Sequence, residues 1–223
     1  MTARTLPKSR ITRNAVSSRG AKRWESEASC REVDGDLFFD ESKAGVQQAQ
    51  AVCVTCPVLV ECLRDQQTKD KDDRSYQWGV GGGLSTVQRR ALAVEALLGN
   101  QPNLAIARLL VSPQWARRLR KPRTAWRPLG EIVQGLRKDG LMVDVVTVRV
   151  AVWWLGGEGS RMARGRHWRH QLRDEHLDTI VALRGKGARF LDIAVFLGVP
   201  EVNGAKAISE MMQRVTAELE MAA

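Results

Sequence analysis

Aromatic residues are scarce, at 5% of 223 residues, and only one of them is tyrosine. No apolar run approaches the roughly 20 residues of a membrane-spanning helix, so the sequence offers no such span. The opening stretch, MTARTLPKSRITRNAVSSRG, lacks the apolar segment of a secretory signal, and the expected compartment is the cytoplasm. Histidine is nearly missing: His167, His170 and His176 are the whole set. They stand far along the chain from any cysteine and read as surface residues rather than metal ligands. Cysteine is limited to four, Cys30, Cys53, Cys56 and Cys62. A reducing cytoplasm disfavours a disulfide framework and turns attention to metal binding or redox chemistry.

What is present is a core and a charge. Hydrophobic content of 43% excludes a chain disordered throughout. Among the few aromatics, seven are tryptophan, and Lys and Arg exceed Asp and Glu by 35 to 25. A net charge of +10 points to a polyanionic partner, most simply nucleic acid. The charge is unevenly spread. Residues 1–23 are basic, lack hydrophobic periodicity and read as a flexible tail. Residues 30–73 hold ten Asp/Glu against five Lys/Arg, whereas residues 115–170 hold thirteen Lys/Arg against four Asp/Glu. An acidic module carrying the cysteines therefore precedes a basic one suited to DNA.

Local signals predict a mostly α chain. Ser42 is placed to cap a helix running through Val46 and Val52, and Pro57 suits the first turn of PVLVECLRDQQ. The run Gly79-Val80-Gly81-Gly82-Gly83 predicts a tight turn, after which Ser85 caps TVQRRALAVEALL and Gly99-Asn100 ends it. The stretch from Thr147 to Leu155 is open between helix and buried strand, because β-branched runs do not decide. Asp139-Gly140 is correspondingly either a turn between helices or the start of a wing. Trp153 and Trp154 read as core.

All four cysteines lie within residues 30–62, in the spacing C-x22-C-x2-C-x5-C. A pair two residues apart can chelate one centre from a single turn, and four thiolates are the usual set for a 4Fe–4S cluster. Cys56 stands beside the start of the Pro57 helix, whose positive end favours thiolate. Two other chemistries fit less well. A structural zinc site commonly shows two short cysteine pairs, and here there is one. A thioredoxin-like C-x-x-C needs a βαβ setting, which this sequence does not offer.

Further residues carry a resemblance. Asp34-Gly35-Asp36-Leu37-Phe38-Phe39 comes after the first cysteine, Ala51-Val52-Cys53-Val54-Thr55-Cys56-Pro57-Val58 leads to Glu61-Cys62-Leu63, and the glycine turn precedes Arg89-Arg90. Together these resemble the WhiB-like family of iron–sulfur transcription regulators, over about residues 24–92. The resemblance implies a 4Fe–4S cluster held by all four cysteines. It also implies docking on the primary sigma factor of RNA polymerase, here through Trp78, Gly79, Val80, Gly82 and Gly83, with cluster oxidation or nitrosylation altering that complex. The family turn usually carries tryptophan where Gly81 stands; Trp78, three residues upstream, is the candidate substitute. More than 100 residues lie beyond this stretch, and the resemblance says nothing about them.

Those residues contribute to an internal repeat. Ile106-Ala107-Arg108-Leu109-Leu110-Val111-Ser112-Pro113 matches Ile193-Ala194-Val195-Phe196-Leu197-Gly198-Val199-Pro200 in the form I-A-x-x-L-x-x-P. A small residue where two helices meet and a sharp turn between them suit a helix-turn-helix unit. In the second repeat EHLDTIVALRGKG supplies a supporting helix, while Val202 and Ile208 can pack the last helix inward. After the first repeat, Ser112 and Pro113 can open a helix bearing Gln114, Arg117, Arg118 and Lys121, candidates for base or phosphate contact. Arg164 and Arg166, among glycines, add a phosphate-binding composition. The expected architecture is a basic tail (residues 1–23), a small helical four-cysteine cluster module (24–98) and a helix-turn-helix-type DNA-binding region (99–223). The expected function is non-enzymatic transcription control responsive to redox state or nitric oxide. A thiol–disulfide reductase and a zinc-stabilised DNA-binding protein are the alternatives.

Overall fold

The computed structural model describes residues 23–72, 78–119, 129–157 and 168–222. Among these the chain is helical, with no strand beyond a single bridge between Gly81 and Leu84. Three short 3-10 turns, Arg23–Glu27, Ser29–Glu32 and Gly35–Phe39, carry the chain past Cys30. Two helices then bear the remaining cysteines, α1 (Lys43–Thr55) and α2 (Leu59–Asp72). As expected, the Ser42 hydroxyl caps α1 by accepting from the Gly45 amide. Pro57 is not in the first turn of the next helix. It lies in the link before α2, whose first bond runs from the Cys62 amide to the Val58 carbonyl. The ring fixes φ of the linking turn rather than that of a helical residue.

The glycine turn leads into α3 (Thr86–Leu97), where Ser85 and Gln88 form a reciprocal capping box and Gly99 closes the helix at φ +83°. Next come α4 (Leu104–Leu110) and α5 (Pro113–Leu119), separated by Val111 and Ser112. Then α6 (Leu129–Lys138) and α7 (Val145–Trp154) flank a turn at Asp139-Gly140. The ambiguous β-branched run is therefore a helix and no wing forms. The Asp144 carboxylate caps it by accepting from the Thr147 amide at 2.7 Å, and α7 is then buried on every side from Val146 to Trp154. A helix buried on every side belongs at the centre of a core, which a strand-like pattern of valines disguised.

The chain ends in α8 (Trp168–Asp174), α9 (Leu177–Gly185), α10 (Phe190–Leu197) and α11 (Glu201–Ala222). Both repeats fold alike, as a helix, a short turn and a second helix. In the second, Gly198 takes the left-handed conformation at φ +77°. The close approach is made by Gly204 of α11, where a Cβ would lie 2.4 Å from Val199 Cγ2 and 3.2 Å from Ala194 Cβ. Ile208 is fully buried; the side chain of Val202 and the tail to residue 22 lie outside the described residues.

One core unites the cysteine-bearing segment with the helices beyond it. Leu59 and Leu63 of α2, Leu84, and Leu92 of α3 share a cluster with Leu110, Leu136, Val150 and Trp154. Helix α10 packs broadly on α3 as well as on α11. Arg90 of α3 pairs with Asp192 of α10 across that seam at 2.7 Å, and the fully buried Arg149 of α7 pairs with Glu95 of α3 at 3.2 Å. Arg149 also donates to the Phe196 carbonyl at 2.7 Å and lies over the Trp153 ring at 4.6 Å. Among the described residues no helix is long and apolar enough to cross a membrane.

Candidate metal centre

The four cysteines come from three places. Cys30 rides on the second 3-10 turn, Cys53 is in the last turn of α1, Cys56 immediately succeeds that helix, and Cys62 is in the first turn of α2. Their sequence separation closes in space. The Ser29 amide, next to Cys30, donates to Cys56 Sγ at 3.5 Å. Burial above all raises the pKa of Cys53 and Cys62, and nearby cysteines add to it: Cys30, Cys56 and Cys62 for Cys53, and Cys30 and Cys56 for Cys62. All four thiols are free of disulfides; Cys30 is exposed, Cys53 and Cys62 are half-buried and Cys56 is buried.

The glycine turn provides the other wall. Burial pushes the Cys53 thiol up to about 12, against a hydrogen bond from the Gly83 backbone that favours the thiolate. Cys62 is likewise raised by burial, against a hydrogen bond from the Gly82 backbone. Glycine is required at both positions. The φ angles of Gly82 and Gly83 are +58° and +71°, and a Cβ on Gly82 would fall 2.3 Å from Leu63 Cα, while one on Gly83 would fall 2.7 Å from Trp154 Cδ1. The turn is thus pressed onto α2 and α7 so closely that only backbone fits, with its amides turned toward sulfur.

Several residues fix this turn, most of them with no motif to mark them. Arg89, buried, donates to the Gly79 carbonyl at 2.9 Å and the Leu84 carbonyl at 2.8 Å, spanning both ends of the turn, while its Nε pairs with Asp70 at 2.8 Å. Gln50 Nε2 of α1 donates to the Gly83 carbonyl at 3.1 Å. Trp154 Nε1 of α7 donates to the Gly82 carbonyl at 2.9 Å. Arg108 of α4 donates to the Val54 carbonyl and, at 3.1 Å, to the Cys56 carbonyl. A cation there answers the orphan carbonyls at the end of α1.

The residues expected to face a sigma factor are divided. Trp78 is 69% exposed, and Phe39 beside the turn is 66% exposed. Gly79, Val80, Gly82 and Gly83 are buried and shape the surface from beneath. Of the DNA candidates, Gln114, Arg117 and Arg118 are all exposed on α5. Arg118 is paired with Asp139 and lies over the Trp115 ring at 5.7 Å. Lys121, Arg164 and Arg166 lie outside the described residues, as does His167. His170 is exposed, and His176 sits half-buried at the start of α9.

Comparison with known proteins supplies the family. Residues 24–92 match the family model described as transcription factor WhiB. Over 79 residues the chain is 39% identical to the transcriptional regulator WhiB1 of Bifidobacterium longum, covering 33% of this chain and 80% of that protein. Over 74 residues it is 38% identical to the transcriptional regulator WhiB1 of Mycobacterium tuberculosis, covering 31% and 82% respectively. WhiB4 of the same species is 39% identical over 69 residues, or 31% of this chain and 53% of that protein. No solved structure matches the chain. The match begins just ahead of Cys30 and ends just after the arginine that spans the glycine turn, so it contains every thiol and the backbone that faces them, and on this footing the chain belongs to the WhiB family of transcription regulators.

Proposed function

We propose that the four cysteines bind a 4Fe–4S cluster and that its state controls transcription through sigma factor and DNA, in the cytoplasm. The observation that carries this is the convergence of the four thiols under two glycine amides directed at sulfur. The donor set suits the group: each thiolate can hold a different iron, and backbone hydrogen bonds to sulfur are among the features that set cluster potential. Structural zinc commonly uses two short cysteine pairs, and this chain has one, Cys53 and Cys56. The reductase alternative needs a ready thiolate, and Cys53, pushed up to about 12, is a poor one. When bound, the cluster would supply redox- or nitric-oxide-sensitive chemistry; Cys30, Cys53, Cys56 and Cys62 would hold it.

Trp78 and Phe39 form an exposed aromatic surface beside the glycine turn, and this is the surface we assign to sigma factor, with Trp78 in the role of the missing family tryptophan. DNA falls to the helix-turn-helix-type pairs α4–α5 and α10–α11, in particular to Gln114 and Arg117. The net charge of +10 supports a polyanionic partner. The deciding experiment is a visible spectrum with iron and sulfide analysis on protein purified without oxygen. A broad band near ~400 nm and about four irons per chain are expected of this cluster; a colourless protein with stoichiometric zinc would refute the redox reading. For sigma factor, Trp78→Ala should weaken pull-down, and unchanged capture would remove that assignment. For DNA, Arg117→Ala should lower the salt slope of binding by about one.

A further inference from the structure

The segment that the family match leaves unaccounted for touches the four-thiol site at two points. Arg108 lies on α4 and Trp154 at the end of α7, both beyond residue 92 where the match ends. We infer that Arg108 and Trp154 are positioning residues of the cofactor site, supplied by the extension to the two backbone turns that present the thiols. The inference rests on the cluster reading above.

Arg108 acts on the Cys53–Cys56 side. Its guanidinium, half-buried, reaches the Val54 and Cys56 carbonyls, the stretch of backbone that carries the C-x-x-C pair from helix into turn. A guanidinium donates in a fixed planar fork and cannot lose its proton. It therefore sets the turn's geometry and holds a permanent positive charge against the backbone that carries Cys53 and Cys56. Trp154 acts on the opposite side. Its indole N–H holds the Gly82 carbonyl at 2.9 Å, and its ring lies where a Gly83 side chain would be. The amides of those two glycines are the ones that hydrogen-bond Cys62 and Cys53. Trp154 is 1% exposed, so its position is fixed by the core and is passed on to the turn. Both act through backbone carbonyls of the turns that present the thiols. Partners of this kind around metal ligands commonly change affinity by about 10–100-fold when removed.

The test uses the full-length protein purified without oxygen, as wild type and as Arg108→Gln, Arg108→Lys and Trp154→Phe. Cluster content is read from iron, sulfide and the visible spectrum, cluster loss from its decay in air, and the midpoint potential from a dye-mediated titration. We expect Arg108→Gln to speed loss about 10-fold or more and to move the midpoint to a more negative value, since a neutral side chain favours electron gain less. Arg108→Lys should restore much of the potential and less of the lifetime. Trp154→Phe keeps most of the ring and removes the N–H, and should speed loss with little change in potential. Should Trp154→Phe fail to fold by circular dichroism, the half-buried Arg108 variants decide. A cluster-bearing wild type whose folded Arg108 variants match it in lifetime within about 2-fold, and in potential, would overturn the inference alone. A wild type without iron would instead overturn the cluster reading, and the inference with it.

Discussion

Removing one partner of the Arg149–Glu95 pair should cost far more than removing both. The two side chains are 2% and 0% exposed and 3.2 Å apart, between α7 and α3. Glu95 is further bound by Asn100 Nδ2 at 3.0 Å, and Arg149 by the Phe196 carbonyl at 2.7 Å. In Glu95→Leu the guanidinium stays buried without its counter-charge; in Arg149→Met the carboxylate does. Breaking a buried pair from one side costs about 3–5 kcal/mol, while replacing both partners by apolar groups of similar volume is often neutral. In a chain of this size 1 kcal/mol is worth about 2–4 °C of Tm, so each single variant should lose about 6–20 °C. The double variant, Glu95→Leu with Arg149→Met, should regain most of it, because no charge is then stranded. The assay is thermal unfolding monitored by far-UV circular dichroism at neutral pH. Single variants losing less than about 2–4 °C, the equivalent of 1 kcal/mol, would refute the reasoning. So would a double variant whose loss equals the sum of the two, since that would mean the side chains do not interact.

The turn, the caps and the thiols carry further expectations. Gly82→Ala combines a left-handed φ of +58° with a Cβ 2.3 Å from Leu63 Cα, and should cost about 2–6 kcal/mol, visible as a lower denaturant midpoint and lost iron. Gly135→Ala in α6 meets nothing within 4 Å and should raise stability by up to about 1 kcal/mol; a loss would contradict the open space seen there. Ser85→Ala removes the capping box of α3 and should cost about 1 kcal/mol, measured by urea unfolding. In metal-free protein at pH 8, iodoacetamide should label exposed Cys30 first and Cys53 last. A folded-state pKa raised from 9.0 to about 12 means that this thiol's contribution to stability is complete below pH 9 and is lost as pH rises through 12. Peptide mapping that finds Cys53 labelled as fast as Cys30 would refute this.

The local grammar of the chain is readable where one residue has one job. Ser42, Ser85 and Gly99 cap the helices their positions predict. Reading fails where a residue's role is set by distant neighbours. The valines of α7 fit a buried strand equally well until the surrounding helices decide. Pro57 stands ahead of its helix rather than in the first turn because a φ near −65° serves a turn as well as a helix. Arg108 does leave a trace: it occupies the place in its repeat that Val195, buried at 5% exposure, occupies in the other. A cation at a core-facing register is a departure that calls for an acceptor, and the acceptors here are the Val54 and Cys56 carbonyls. Gly204 and Arg149 leave no comparable trace, since their partners lie on other elements.

The common core also bears on how such a protein could have arisen. A domain appended by a tether can be gained or lost without touching its host. This one cannot, because Leu59, Leu63 and Leu92 pack with residues of α4, α6 and α7, and Glu95 finds its cation on α7. Cutting after residue 98 would leave an oily, charged wound on the family segment rather than a clean end. The extension and the family segment thus share a seam that neither could expose to water without loss.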